Sequence, residues 1–282
     1  GLSNSVENWH GFCFLFIAGR IVLPELTNHR EDNMNKITKA LSVAAVAVSA
    51  AYMPAANAVP VALELALLID VSGSVDGNEF NLQKNGYVQA FQSASVQSAI
   101  ATLTGGMAVS FWQWSSFNEQ VQSIGWTHLT GAASANAFAT AISNVNRAFS
   151  GSTAPGSAIN AAAPSFTGNG FEGTRLVIDV SGDGEQNDGA DTATARNNAI
   201  AGGISAINGL PIGGAGLQLW YQQNIVGGAN AFLIPAADFN DFADAVERKI
   251  GREITGAPEP GTLALAGLAL AGVAGLRRKQ RS

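Results

Sequence analysis

Two apolar runs constrain this chain more than any other feature. Leu63 to Val71 (LELALLIDV) is interrupted only by Glu64 before it reaches Asp70, and Arg175 to Val180 (RLVIDV) repeats the pattern much later. A run that is apolar at both odd and even positions is the signature of a strand covered on both faces. Between and after these runs the period changes. Phe80, Tyr87, Val88 and Phe91 recur at helical spacing behind a polar Asp76-Gly77-Asn78 start. Met107 to Trp114 (MAVSFWQW) reads as an aromatic strand with Val121 to Trp126 as a short neighbour, and Ala132 to Phe149 reads as a helix. The loop FSGSTAPGSAI leads into a short helix through Pro164. Thr192 to Ala201 reads as a helix, Gly203 to Leu210 as a strand, and Phe232 to Ile234 as a short apolar piece. Phe239, Phe242, Ala243, Val246 and Ile250 form a last stripe, with Asp238 as its expected N-cap. Strands alternating with helices predict an α/β fold. The expected architecture is a doubly wound, mostly parallel sheet with helices on both faces, in one domain over residues 59–255.

The flanks read as addresses. Residues 34–58 (MNKITKALSVAAVAVSAAYMPAANA) hold a short basic start, an apolar core and the small-x-small site Ala56-Asn57-Ala58, in the order of a signal peptide. Residues 1–33 stay unassigned, upstream of a good start at Met34. Residues 256–282 begin with Pro258-Glu259-Pro260, continue in an apolar segment, 261–276, and end in Arg277, Arg278, Lys279 and Arg281. Sixteen apolar residues are marginal for a membrane span. The basic cluster would stay cytoplasmic. This tripartite tail resembles the PEP-CTERM sorting signal of Gram-negative bacteria; a plain membrane anchor is the alternative. The resemblance implies an exosortase-type processing protease as a partner, transient inner-membrane contact, and delivery to the cell surface or extracellular matrix.

Charge narrows the partners. Only 13% of residues are charged, and residues 59–257 carry seven Lys and Arg against sixteen Asp and Glu, a net charge of −9. Such a body excludes a nucleic-acid backbone as partner and suits a cation. The one cysteine, Cys13, permits neither an internal disulfide nor a thiolate zinc cluster. Of three histidines, only His128 lies in the body, in a context that suits a surface or capping role better than a catalytic triad.

Ligands of doubly wound sheets sit at the carboxyl ends of the strands. Asp70 stands at such an end, and Ser72 and Ser74 follow at alternate positions, so in extended backbone three oxygens face one side. A string of this kind either caps the next helix or holds a hard cation. Thr153, in the glycine-flanked loop GSTAPGS, and Asp183, just beyond the second buried strand in VSGDG, would reach the same sheet edge. The pattern D-V-S-G-S, a later loop threonine and a later D-G resembles the metal-ion-dependent adhesion site of von Willebrand factor type A domains, over nearly the whole body. The resemblance implies Mg²⁺ (or Mn²⁺ or Ca²⁺), with Ser72 and Ser74 as direct ligands. It implies Thr153 as direct or water-bridged, and Asp70 and Asp183 acting through water and hydrogen bonds. It implies a protein or polysaccharide partner offering a carboxylate to the open coordination position. That family usually carries Thr or Ser immediately before the second aspartate; here the residue is Gly182, so Asp179 stands as a competitor to Asp183.

Other chemistries fit less well. Asp70 and Asp183 around Mg²⁺ would suit a hydrolase, but the aspartate-nucleophile pattern needs Asp where Ser72 stands, and GSTAPGS lacks the P-loop lysine. The acidic loop DGEQNDGAD fails the EF-hand pattern, because its twelfth position is Thr194, and reads as solvated. Phe111, Trp112 and Trp114 read as core, with a sugar platform as the alternative. The expectation is therefore an exported adhesion protein and not an enzyme. A structural matrix protein with an inactive metal site and a Mg²⁺-dependent hydrolase are its rivals.

Overall fold

The computed structural model describes residues 58–256. The readings made on residues 1–33, on the signal peptide and on the sorting tail fall, apart from Ala58 and Gly256, outside the described residues. Among the described residues no helix is long and apolar enough to cross a membrane. The expected span, 261–276, is not among them.

The fold is α/β, as the alternating pattern predicts. A short strand β1 (Val59–Val61) pairs in parallel with β5 (Phe171–Gly173). The main sheet is built on β2 (Leu63–Asp70), flanked by β3 (Met107–Trp114) and β6 (Leu176–Gly182), with β7 (Ala206–Pro211) beyond β6. These four strands are parallel. The edges are antiparallel: β4 (Gln120–Leu129) on β3, and the two-residue β8 (Gly227–Gly228) on β7. All eight residues of β2 are buried, which explains why its sequence shows no polar alternation.

Side-chain parity divides two cores. Leu65, Leu67 and Ile69 face α1 (Gly77–Gln92), α2 (Ala94–Thr102), α3 (Ala132–Ser143) and α7 (Phe242–Thr255). Ala66 and Leu68 face α4 (Pro155–Ala162), α5 (Thr192–Ala201) and α6 (Ala215–Asn224). The aromatic strand is core: Phe111 and Trp114 are fully buried on opposite faces, and Trp112 packs partly buried beside Trp114, so they do not form a sugar platform.

Local chemistry moved two helix boundaries. The helix expected to run to Phe149 stops at Ser143, where Asn144 bonds back to the Thr140 carbonyl and the chain turns out as a loop. The last helix starts at Phe242, not at Asp238. The Asp238 carboxylate accepts from the Asn240 and Asp241 amides and makes a turn before the helix, leaving Asp241 as N-cap. Helix α6 had no counterpart in the sequence reading; Tyr221 is its only fully covered side chain, with Leu217 and Trp220 partly buried beside it at helical spacing.

Candidate metal centre

Connections from β2 and β6 leave in opposite directions, and the crevice between their carboxyl ends is the topological switch point of the sheet. Asp70 is the last residue of β2, and Ile69 stands in register with Ser181, which places Asp70 beside Gly182. Its carboxylate is fully buried on the Ala66–Leu68 face. Oδ1 accepts the Ser72 amide at 2.8 Å; Oδ2 has no hydrogen-bond partner. Burial pushes this carboxyl up to about 7, against the lowering effect of the Ser72 amide and hydroxyl.

The chain then turns instead of staying extended, with the Val75 amide bonded to the Ser72 carbonyl. The hydroxyls nevertheless converge. Ser72 Oγ and Ser74 Oγ lie 3.1 Å apart, Ser74 Oγ donates to Asp183 Oδ1 at 2.7 Å, and Thr153 Oγ1 lies 3.4 Å from Ser72 Oγ. The five sequence-predicted residues thus meet at one place. Asp70, Ser72 and Thr153 are buried, while Ser74 is exposed, so the cluster opens to solvent on one side. Oxygens bound to one octahedral cation at about 2.1 Å stand roughly 3 Å apart. The observed separations bracket that value, and the donor set of hydroxyls and carboxylates suits a hard cation. Among the described residues no group of three or more His, Cys, Asp or Glu forms a metal cluster.

The alternative role, a helix cap, belongs to other residues. Asp76 accepts from the Asn78 and Glu79 amides at 2.7 and 2.9 Å, and Glu79 accepts from the Asp76 amide, a complete capping box. Asp179 does not compete for the site either. It stands in register with Leu67, faces the opposite core from Asp70, and is ion-paired to Lys249 at 2.5 Å. His128 pairs with Ala108 near the far end of the sheet and bonds the Gly105 carbonyl, remote from any triad with Asp70.

Several supporting residues carried no sequence signal. Arg147, in the loop after α3, donates to the carbonyls of Val71 (3.0 Å), Ser72 (2.7 Å) and Phe149 (2.9 Å), which fixes the serine turn from below. Gln83 donates to the Asp70 carbonyl. Gly73 lies against the Ser150 and Gly151 carbonyls, where a Cβ would stand only 3.2 and 3.3 Å away. The acidic loop is more than solvated. Asn187 Oδ1 accepts the Thr153 amide, the Thr153 carbonyl accepts the Asn187 and Asp188 amides, and Asp188 accepts the Phe117 amide. These bonds would have been legible only to a reader who already knew which loops touch.

The profile of the family described as "Protein of unknown function (DUF1194)" matches residues 60–258. The chain belongs to that family. The PEP-CTERM protein-sorting motif matches residues 257–279, the tail singled out above. No curated protein matches the chain. Among solved structures, proximal thread matrix protein 1 from the mussel byssus superposes with a TM-score of 0.54 at 17% identity, covering 68% of this chain and 47% of that one. Another structure of it, with a zinc-occupied MIDAS motif, gives 0.50 at 16% identity, covering 68% and 46%. The pilus adhesin SpaC from Lactobacillus rhamnosus GG, in its open conformation, gives 0.51 at 14% identity, covering 68% and 30%. This chain thus spans about half the length of the matrix protein. These likenesses establish the fold, that of von Willebrand factor type A domains, which the family shares.

Proposed function

We propose that this protein is a binding or adhesion protein of the cell surface or extracellular matrix, working through a divalent cation at the Asp70 site. The sorting motif supports export, and the similar folds of a matrix protein and a pilus adhesin support a binding role. One observation carries the metal reading: hydroxyl and carboxylate oxygens from three separate loops stand 2.7 to 3.4 Å apart around the buried Asp70. Ser72 and Ser74 would hold the cation directly, Thr153 directly or through water, and Asp70 and Asp183 through bound water. When present, the cation supplies a Lewis-acidic position for one carboxylate of a protein or polysaccharide partner. The protein's own part is to keep the oxygens preorganised and to leave the Ser74 side open. No bond is made or broken, so this is recognition and not catalysis. Mg²⁺ is the first choice, with Mn²⁺ and Ca²⁺ as the other candidates, because the donors are all oxygens.

The test is thermal unfolding of chelator-treated protein during addition of Mg²⁺, Mn²⁺ or Ca²⁺, beside Asp70→Asn. A ligand that binds only the native state raises stability by about 2.7 kcal/mol at a hundredfold excess over its Kd. A rise confined to the parent protein supports the site. An equal response in the variant, or none in either, sinks it and leaves a structural matrix component.

A further inference from the structure

Basic side chains are few in residues 59–257, and all but one are engaged. Of the seven, Lys84, Arg147, Arg175, Arg196, Arg248 and Lys249 each donate a hydrogen bond. Arg252 alone has neither a hydrogen bond nor an ion pair among the described residues. Its guanidinium is nevertheless held in place. It lies over the Phe232 ring, 4.0 Å from the centroid. A stacked guanidinium keeps the N–H groups of its edge free to meet an oxyanion. Arg252 lines a cavity of about 640 Å³ at the amino ends of the strands, where Ala206 opens β7 and Val177 stands second in β6. This is the opposite end of the sheet from Asp70, which closes β2. A second guanidinium lines the same cavity. Arg175 Nη2 donates to the carbonyls of Glu253 and Ile254, at 3.0 and 2.9 Å, and so closes the end of α7. Its Nη1 has no bond among the described residues and lies 3.4 Å from where a Cβ on Gly256 would stand. Glu253, the acid on the wall, has both carboxylate oxygens bonded by Asn208 and one also by Lys249. With Asp179 behind it, three positive side chains here meet two negative ones, so this corner is positive in a body of net charge −9.

We infer that this cavity is a second binding site, for a carboxylated sugar, whose acid group is taken by Arg252 and Arg175. A guanidinium fork matches the two oxygens of a carboxylate, and the charge assists the bond. The cavity is far larger than one carboxylate needs and falls in the range of small-molecule sites. Its remaining polar groups suit hydroxyls. Ser205 Oγ accepts the Leu176 amide, and its own proton has no acceptor among the described residues. Asn230, exposed at the edge, is held at φ 58°, a left-handed conformation that Asn tolerates, and offers its amide. This site needs no cation, so it stands or falls apart from the one at Asp70. On the exported protein proposed above, the ligand would be a unit of an acidic matrix polysaccharide.

The probe is trigalacturonate, titrated by calorimetry into the full chain in excess chelator, so that the Asp70 site plays no part. The parent protein binds it, and added salt weakens the binding. The same trimer with its acids methyl-esterified does not bind. Arg252→Gln lowers the affinity about tenfold or more, the scale of one charge-assisted hydrogen bond. Arg252→Lys keeps the charge and the packing stem but loses the fork, and its affinity falls between the two. It also serves if Arg252→Gln fails to fold. Arg248→Gln is the control. It removes the same charge from an exposed position one turn earlier on α7, where Nε bonds the Asp244 carbonyl, and it leaves the affinity unchanged. No binding by the parent, an ester that binds as well as the acid, or equal affinity in the parent and Arg252→Gln overturns the proposal. Arg252 is then a packing residue that complements the dipole of α7. Inorganic phosphate or the peptide acetyl-Gly-Glu-Gly-amide binding as tightly as the trimer overturns the assignment to a sugar.

Discussion

Two buried aspartates on neighbouring strands of one sheet have opposite surroundings. Asp179 on β6 points into the α7 core, where Lys249 Nζ lies 2.5 Å away. Lys249 also pairs with Glu253 at 3.0 Å, and Asn208 donates to both Glu253 oxygens at 2.9 and 2.8 Å. Asp70 on β2 points into the other core with no cationic side chain in an ion pair and one oxygen unpaired. Burial raises both carboxyls. At Asp179 the Lys249 charge opposes that rise; at Asp70 only hydrogen bonds do. One aspartate has its counter-charge built into the chain and serves to tie α7 to the sheet. The other is left short of positive charge at the surface end of a strand. A fold keeps such a group only at a cost in stability, and sites that bind ligands are where such costs concentrate.

Three variants would break or sharpen that contrast, beginning with the largest effect. Lys249→Met removes the shared cation and strands two buried carboxylates. Urea unfolding should show a loss of about 3–5 kcal/mol. A loss below about 1 kcal/mol would mean that the cluster is no more than a surface pair in energetic weight. Next, metal-free Asp70 binds its proton more tightly in the folded than in the unfolded protein. Its contribution to stability is therefore fully present below about pH 4 and is lost as pH rises through about 7. Asp70→Asn removes that loss. At pH 8 without metal the variant should be the more stable protein, by up to about 4 kcal/mol, and its stability should vary less between pH 5 and 8. It should at the same time ignore added Mg²⁺. Parallel pH profiles for parent and variant would show that Asp70 is not strained. The smallest effect belongs to the cap: Asp76→Ala should cost about 1 kcal/mol and leave Mg²⁺ affinity unchanged, measured by unfolding and calorimetry together. A parallel drop in affinity would make the cap part of the site.

The site was legible to the extent that it was local. Asp70, Ser72 and Ser74 lie within five residues, at the end of a run that could only be a buried strand, and topology then required later strand ends to supply the rest. Thr153 and Asp183 were singled out that way, and the structure brings both beside the Ser72–Ser74 turn. Arg147, Gln83 and Asn187 were not, because each acts through a contact across loops or layers and none belongs to a local pattern. Helix α6 was missed because its core-facing stripe, Leu217, Trp220 and Tyr221, is too short to stand out among the surrounding glycines. The sugar platform was a fair alternative for three aromatics within four residues, and the structure rejected it by covering both faces of β3.

What the sequence determined by itself was the period of its apolar residues, hence the order of strands and helices, the parallel sheet, and the acidic, hydroxyl-bearing character of one sheet edge. Those follow from backbone geometry and solvation, which act over a few residues. Only the tertiary structure decided which face each aspartate joined and whether a lysine met it there. Those depend on register and packing between segments far apart in the chain. A one-residue change of parity on β2 or β6 would have exchanged the two environments.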